Sequence, residues 1–318
     1  MEGYDLVGDI HGHAQELQQL LKQLNYALND EGTYVHAEGR RVIFCGDLID
    51  RGPDAREVLH IVRRMVDSGS ALIVMGNHEY NMICYHTWVD GQFLRPHTAK
   101  NAGHISATLR SFVNHRDEWL DYIEWFKTIP LYLELEGLRV VHACWDQQCI
   151  DYLENKLEDR RINPKFLYLA SIVDSPAYCA VENILKGWEA KLPEGQVFFD
   201  KEGNAREFTR VRWWPVEGDR WQDISIGMPT HHVLNAQRFV GSLPGPVYAP
   251  HEKPIFFGHY WLKGTPQLLA DNICCLDYSV AKGGDLVAYR WSGEQILSPE
   301  NFVSTSKDRK PHLIAATR

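Results

Sequence analysis

Four short strings concentrate the residues able to do chemistry: GDIHGH at Gly8–His13, GDLIDRG at Gly46–Gly52, GNHE at Gly76–Glu79 and GHYW at Gly258–Trp261, joined by His142 in VVHA. Together they supply Asp, His and Asn in the numbers that two adjacent divalent cations require. Asp9 and His11 are two apart on an extended segment, so both side chains lie on one face and can grip a single ion. Asp47 is the natural bridging carboxylate, one oxygen to each ion, at the roughly 3.5–4 Å separation of two-metal hydrolases. Asn77, His142 and His259 then complete the second ion. Carboxylate, imidazole and amide oxygen suit Mn²⁺ first, with Fe, Zn²⁺ or Mg²⁺ as alternatives, better than Ca²⁺, and the absence of thiolate argues against structural zinc.

The remaining residues of these strings fit the handling of a phosphate. Arg51 can present a planar fork to two phosphate oxygens, which Lys cannot. His78 can protonate the leaving oxygen, and Asp50 can orient that imidazole and raise its pKa. The nucleophile expected of such a site is a metal-bridging hydroxide attacking phosphorus in line. A structural ion pair at a loop is the plain alternative for Asp50 and Arg51. Glu79 reads as a brace for the GNHE loop. Arg212, Arg220 and Tyr278 are weaker candidates for substrate binding, since an arginine among aromatic residues more often packs or makes cation–π contacts. The pairs His231–His232 and Trp213–Trp214 read as core of their own segment, and His86, His97, His104 and His115 lack motif support.

Each of the first three strings follows an apolar run and precedes a helical pattern. Asp5–Gly8 opens the first strand and Gln15–Asn25 follows with Leu17, Leu20, Leu21 and Leu24 at helical spacing. Arg41–Cys45 is a continuous apolar strand, Ala55–Asp67 an amphipathic helix, and Ala71–Met75 a third buried strand leading into GNHE. Strand, loop and helix in this order predict parallel strands joined by crossovers, with the ligands at strand tips. Ile129–Leu135 and Leu138–Val141 read as strands, the second ending at His142, and Pro254–Phe257 as another ending at Gly258. Ile273–Asp277 and Leu286–Trp291 read as an antiparallel pair turned through AKGGD. The whole chain, 1–318, reads as one domain with cap-like insertions at about 86–128 and 145–238, the second rich in Trp, Pro and charge. Thr305–Arg318 reads as a loose polar tail.

Bulk properties bound the function. At 318 residues with 44% hydrophobic and 24% charged content, the chain can bury a large core. No apolar run is long enough for a membrane span. The acidic N-terminus entering a strand at once argues against a signal peptide, and seven cysteines without a CxxC pair predict a cytoplasmic, reduced protein. Cys274 and Cys275 read as buried strand residues. A net charge of −9 argues against nucleic acid as a partner and requires local positive potential for an anionic substrate, which divalent metals supply.

GDxHG, GDxxDRG, GNHE, a histidine after a strand and a later GH, present here in that order, resemble the calcineurin-like metallophosphoesterase superfamily in its phosphoprotein-phosphatase-like branch. The resemblance implies a four-layer αββα sandwich, an α/β fold with a helical, aromatic cap insertion. It also implies a dinuclear centre with Asp9, His11 and Asp47 on one metal, Asp47, Asn77, His142 and His259 on the other, and Arg51 and His78 on the phosphate. Met75 before GNHE and Ala143-Cys144 after His142 depart from eukaryotic-type Ser/Thr phosphatases. FFGHYW and LDYSVAKGGDLVAYR are instead similar to the GHW and LDTGxxxGGxLTALR strings of bacterial dinucleoside tetraphosphatases, with Tyr278 and Ser279 departing. Retention of Asp50 makes the asymmetrical-type, PrpE-like tetraphosphatases the nearer resemblance. The Trp-rich insert matches neither group. The expected function is hydrolysis of phosphoester or phosphoanhydride bonds in dinucleoside polyphosphates. Alternatives are a phosphoprotein (Ser/Thr or Tyr) phosphatase acting on phosphopeptides, a non-catalytic phosphate-binding module and a nucleic-acid end phosphatase.

Overall fold

Two mixed sheets stack face to face, and alternation along their strands decides which residues meet. The architecture comes from a computed structural model that describes residues 3–199 and 203–306; most of the tail read at Thr305–Arg318 lies outside the described residues. In the first sheet Tyr4–Val7 runs parallel to Arg41–Phe44, which runs parallel to Ala71–Ile73. On its other side Tyr4–Val7 pairs antiparallel with Asp285–Trp291, whose own neighbours are Asp277–Tyr278 and Phe302–Ser304. The second sheet runs Ile273–Cys275, Ile255–Phe257, Arg139–Val141, Tyr132–Glu134, parallel except for its last pair.

Residues two apart on these strands share a face. Leu6, Ile43, Val140, Phe256, Cys274, Val287 and Tyr289 form the apolar cluster between the sheets. Their alternates Val7, Val42, Phe44, Val141, Ile255 and Phe257 face outward into the larger cluster shared with the helices. The sandwich is therefore helix, sheet, sheet, helix, as the family resemblance implies. Helices α1 (Ala14–Gln23) and α2 (Ala55–Asp67) each bury one stripe, Leu17, Leu20 and Leu21 in the first and Val58, Leu59, Ile61, Val62 and Met65 in the second. Asp54 caps α2 by accepting from the Glu57 N–H. Helix α3 (Asn77–His86) begins within GNHE.

The segment after α3 holds a short hairpin, Trp88–Val89 with Gln92–Phe93, then helices α4 (Ala99–Ser111) and α5 (Arg116–Phe126). Beyond His142 come α6 (Gln147–Glu154), α7 (Pro164–Ser171), α8 (Pro176–Lys186) and three short antiparallel strands. The tryptophans of this second segment are buried: Trp188, Trp213, Trp214 and Trp221. Trp213 donates its indole N–H to the Ala143 carbonyl at 2.9 Å and lies 4.8 Å, ring to ring, from Phe257. Trp213 and Trp214 pack on Phe257 at the outer face of the second sheet.

One expected pairing is different. Ile273–Cys275 belongs to the second sheet, and only Asp277–Tyr278 pairs with Asp285–Leu286. The chain crosses between sheets at Leu276, because the apolar run from Ile273 has to fill both. Gly8 passes so close there that a Cβ would stand 2.1 Å from the Leu276 carbonyl oxygen.

An acidic side chain is buried far from the motif strings. Asp5 is fully enclosed, accepting from Arg40, from Arg290 and from the Tyr26 hydroxyl at 3.0 Å. That network ties the first strand to the last long one and to the loop before the second.

Candidate active site

The loops leaving Val7, Phe44, Ile73, Val141 and Phe257 open at one edge of the sandwich, so side chains far apart in sequence converge. Asp9, His11, Asp47, Asn77, His142 and His259 are all buried there. The backbone bends hard to achieve this. Six of the twelve non-glycine residues with positive φ among those described are His11, Asp47, Asp50, Arg51, His259 and Trp261. Left-handed backbone outside glycine is costly and gathers where function demands a fixed geometry. Gly258 shows how close the packing is: a Cβ there would lie 1.9 Å from Asp9 Oδ1.

Asp47 stands at the centre with its two carboxylate oxygens turned to different partners. Oδ2 lies 3.6 Å from His11 Nε2 and 3.8 Å from His78 Nε2, while Oδ1 lies 3.4 Å from His142 Nε2. The donor atoms fall into two groups, His11, Asp47 and His78, and Asp47, His142 and His259. Asp9 sits beside the first, its Oδ2 at 4.0 Å from His11 Nε2, and both its oxygens accept from the His259 N–H.

The hydrogen bonds settle which nitrogens face inward. His11 Nδ1–H donates to the Ile49 carbonyl at 2.9 Å and His142 Nδ1–H to the Cys45 carbonyl at 2.8 Å. Each ring therefore turns its Nε2 into the site. His142 Nε2 meets Asn77 Oδ1 at 3.1 Å as well as Asp47, so three electron-pair donors converge on one point. His11 Nε2 and both ring nitrogens of His259 are buried with no hydrogen-bond partner. Buried lone pairs facing one another are stable only around a cation or a proton. The residues present fit a pair of divalent ions.

Charge leads to the same result. Burial, reinforced by Asp277 and Asp47, pushes Asp9 well above the usual carboxylate range. Burial holds His11 well below its ordinary value, and burial together with Arg210 and His142 does the same to His259. Against the upward push of burial, His142, His78 and His11 keep Asp47 well below the carboxylate range. A buried site that brings Asp9, Asp47 and Asp277 together suits positive ions.

Beside the metal-ligand cluster stand the three phosphate-handling candidates. His78 Nδ1–H donates to Asp50 Oδ2 at 2.6 Å, and Arg51 donates to His78 Nε2 at 3.2 Å. Arg51 cannot accept, so this contact leaves the Nε2 lone pair turned to it, while against burial Asp47 and Asp50 hold the imidazole above its ordinary value. Asp50 and Arg51 do not pair with each other as a plain structural ion pair; each faces His78. Glu79 braces the loop as its sequence position suggests, accepting from the backbone N–H of Leu48 on Oε1 and of Asp47 and Gly76 on Oε2. Among the weaker candidates, Arg212 donates to the carbonyls of Gln222 and Asp223. Arg220 is the residue before a short helix whose Asp223 accepts from its N–H. The Tyr278 hydroxyl bonds to the Gln267 backbone.

Four residues near the site were not anticipated. Thr108 of α4 donates its hydroxyl to Asp50 Oδ1 at 2.6 Å and accepts from the Asp50 N–H at 2.8 Å. Asp277, buried, accepts from the Trp261 N–H at 2.7 Å and from Ser279 N–H at 2.9 Å. Trp261 lies 6.4 Å, ring to ring, from His11 and carries the Arg51 guanidinium 3.6 Å from its centroid. Lys282 Nζ lies 2.9 Å from the same centroid. Trp261 closes the GHYW string and Asp277 follows a strand, signals present but unread. Thr108 has no local signal at all.

Residues 5–260 match the family model described as calcineurin-like phosphoesterase. A bis(5'-nucleosyl)-tetraphosphatase PrpE [asymmetrical] of Oceanobacillus iheyensis is 32% identical over 143 residues, 44% of this chain and 54% of that protein. Its namesake in Halalkalibacterium halodurans is 44% identical over 75 residues, 24% of this chain and 30% of that protein. The matches thus span about half of the first relative's length and less of the second's. A symmetrical bis(5'-nucleosyl)-tetraphosphatase of Vibrio campbellii is 26% identical over 93% of this chain and 97% of that protein.

Proposed function

The chain belongs to the calcineurin-like phosphoesterase family, and from that premise we propose that it hydrolyses the phosphoanhydride chain of dinucleoside polyphosphates with two divalent cations. The observation that carries this reading is Asp47, whose two oxygens face two separate imidazole groups. Asp9, His11 and Asp47 would hold one ion, and Asp47, Asn77, His142 and His259 the other, with Mn²⁺ the preferred metal. When bound, the pair supplies positive charge to the phosphate and acidifies water.

The chain's own groups do the rest. Arg51, stacked on Trp261, aims a planar fork at phosphate oxygens. Asp50 holds the Nδ1–H of His78, which leaves Nε2 as the atom that exchanges a proton with the leaving oxygen. The names borne by the relatives, asymmetrical and symmetrical alike, support nucleotide polyphosphates as the substrate class, and the presence of Asp50 supports asymmetric cleavage. The segments 86–128 and 145–238 read as elaborations of a single domain, since their aromatic residues join the same apolar cluster as the sheets. Seven free thiols, five of them buried, suit a cytoplasmic setting. Among the described residues no helix is long and apolar enough to cross a membrane.

The test is turnover by Mn²⁺-loaded protein of diadenosine tetraphosphate, a phosphopeptide and an aryl phosphate. Products of unequal length from the dinucleotide are expected. Phosphopeptide cleavage without dinucleotide cleavage would replace this substrate class with phosphoproteins.

A further inference from the structure

Trp261 carries two cations. Arg51 Cζ is 3.6 Å and Lys282 Nζ 2.9 Å from its ring centroid. Two groups that near one centroid have room only on opposite faces, so the indole is a partition between them. One face belongs to the phosphate site. Lys282, on the other face, also lines a groove of about 710 Å³ whose walls include Lys263, Thr265 and Ser279, with Asp285 the one carboxylate among its lining residues. On opposite faces the two cations stand about 6.5 Å apart at most, the two distances taken together. That spacing matches phosphates two apart on a polyphosphate chain.

The partition is held in place. Trp261 is in left-handed backbone, rare for a bulky side chain. Its N–H is fixed by Asp277, which also accepts from the Ser279 N–H at the start of the Lys282 turn. Leu262 N–H donates to the Asp277 carbonyl, and the Ser279 hydroxyl donates to the Leu262 carbonyl. These bonds lock the loop bearing Trp261 to the turn bearing Lys282. Such rigidity suits recognition at a fixed distance from the reacting phosphorus better than a mobile surface lysine.

We propose that Lys282 and the groove behind Trp261 bind the phosphates of a polyphosphate chain that lie beyond the one attacked, so that this edge selects anhydride chains over simple monoesters. This deepens, and rests on, the polyphosphate reading of the site. Arg51 meets the phosphate at the metal-ligand cluster, and the chain then passes the indole edge to reach Lys282 and Lys263. Two lysines there offset the acidity of a chain with net charge −9 where a polyanion must lie.

The experiment measures inhibition of aryl phosphate turnover by orthophosphate and by tripolyphosphate, with free Mn²⁺ held in excess, for the wild type, Lys282→Met and Lys282→Arg. Methionine keeps the stem and removes the charge. The preference for tripolyphosphate over orthophosphate should fall about tenfold or more in Lys282→Met, the scale of one charge-assisted contact, and be kept in Lys282→Arg. A preference equal to that of the wild type in Lys282→Met overturns the proposal, as does equal weakening of both inhibitors. Failure of the wild type to cleave any dinucleotide strikes the substrate reading instead, and the inhibitor ratio still decides the subsite.

Discussion

Replacing Thr108 by Val removes a single hydroxyl from a helix outside all the motif strings, yet it should reach the reaction. Thr108 is fully buried and Asp50 is 2% exposed. The hydroxyl makes two bonds, donating to Asp50 Oδ1 at 2.6 Å and accepting from the Asp50 N–H at 2.8 Å. Valine keeps the shape, so no cavity opens. It strands a buried N–H, at about 1–3 kcal/mol, and deletes a bond to a charged acceptor worth about 1.5–3 kcal/mol. With some relaxation the loss is about 3–4 kcal/mol. A chain of 318 residues unfolds with roughly 2.1 cal/mol/K per residue, so the Tm should fall by about 5 °C. Asp50 and Arg51 are consecutive residues with φ of 69° and 70°, a strain of about 1–2 kcal/mol each. The anchor and the strain are of similar size, so the turn should relax once the hydroxyl is gone, moving both Arg51 and the partner of His78. We expect kcat to fall about 10- to 100-fold, with KM changing less, and Thr108→Ser to restore both kcat and Tm. The assays are calorimetry on metal-free protein and steady-state kinetics with Mn²⁺. A Thr108→Val protein with kcat within about twofold of the wild type, whatever its Tm, would falsify the positioning role.

Three further outcomes follow from other contacts. Asp47→Ala should bind less than one metal per chain by elemental analysis, whereas His78→Ala should retain both and lose most turnover; equal metal loss in the two would make His78 a ligand. Gly258→Ala forces a methyl group to within 1.9 Å of Asp9 Oδ1, so Asp9 must move and metal content should drop while the fold persists; full occupancy with normal turnover contradicts that crowding. Asp5→Ala leaves Arg40 and Arg290 without their shared carboxylate and should cost about 3–5 kcal/mol in urea unfolding; a change below about 1 kcal/mol would mean that solvent replaces the network.

The strand tips were legible because their determinants are local. In GDIHGH and GDLIDRG, apolar runs end at glycine-flanked candidate ligands, and strand alternation fixes which side chains share a face. Helix α2 was readable to its ends from Val58, Ile61, Val62 and Met65. The misread pairing of Ile273–Asp277 arose where one apolar run serves two sheets, since periodicity reports burial and is silent on which neighbour does the burying. Trp213 and Trp214 of the Trp-rich insert lie against Phe257 of the second sheet; composition carries no information about which surface an aromatic covers.

By itself the sequence determined the family and the set of candidate ligands, because both rest on residue types at strand ends, which are written locally. Only tertiary structure decided what holds those residues in place. Thr108 meets Asp50 across 58 positions and Lys282 meets the ring of Trp261. Such contacts depend on how separate loops are brought to one edge of the sandwich. Long-range packing sets them, and a lone buried threonine or a lone exposed lysine leaves no pattern along the chain.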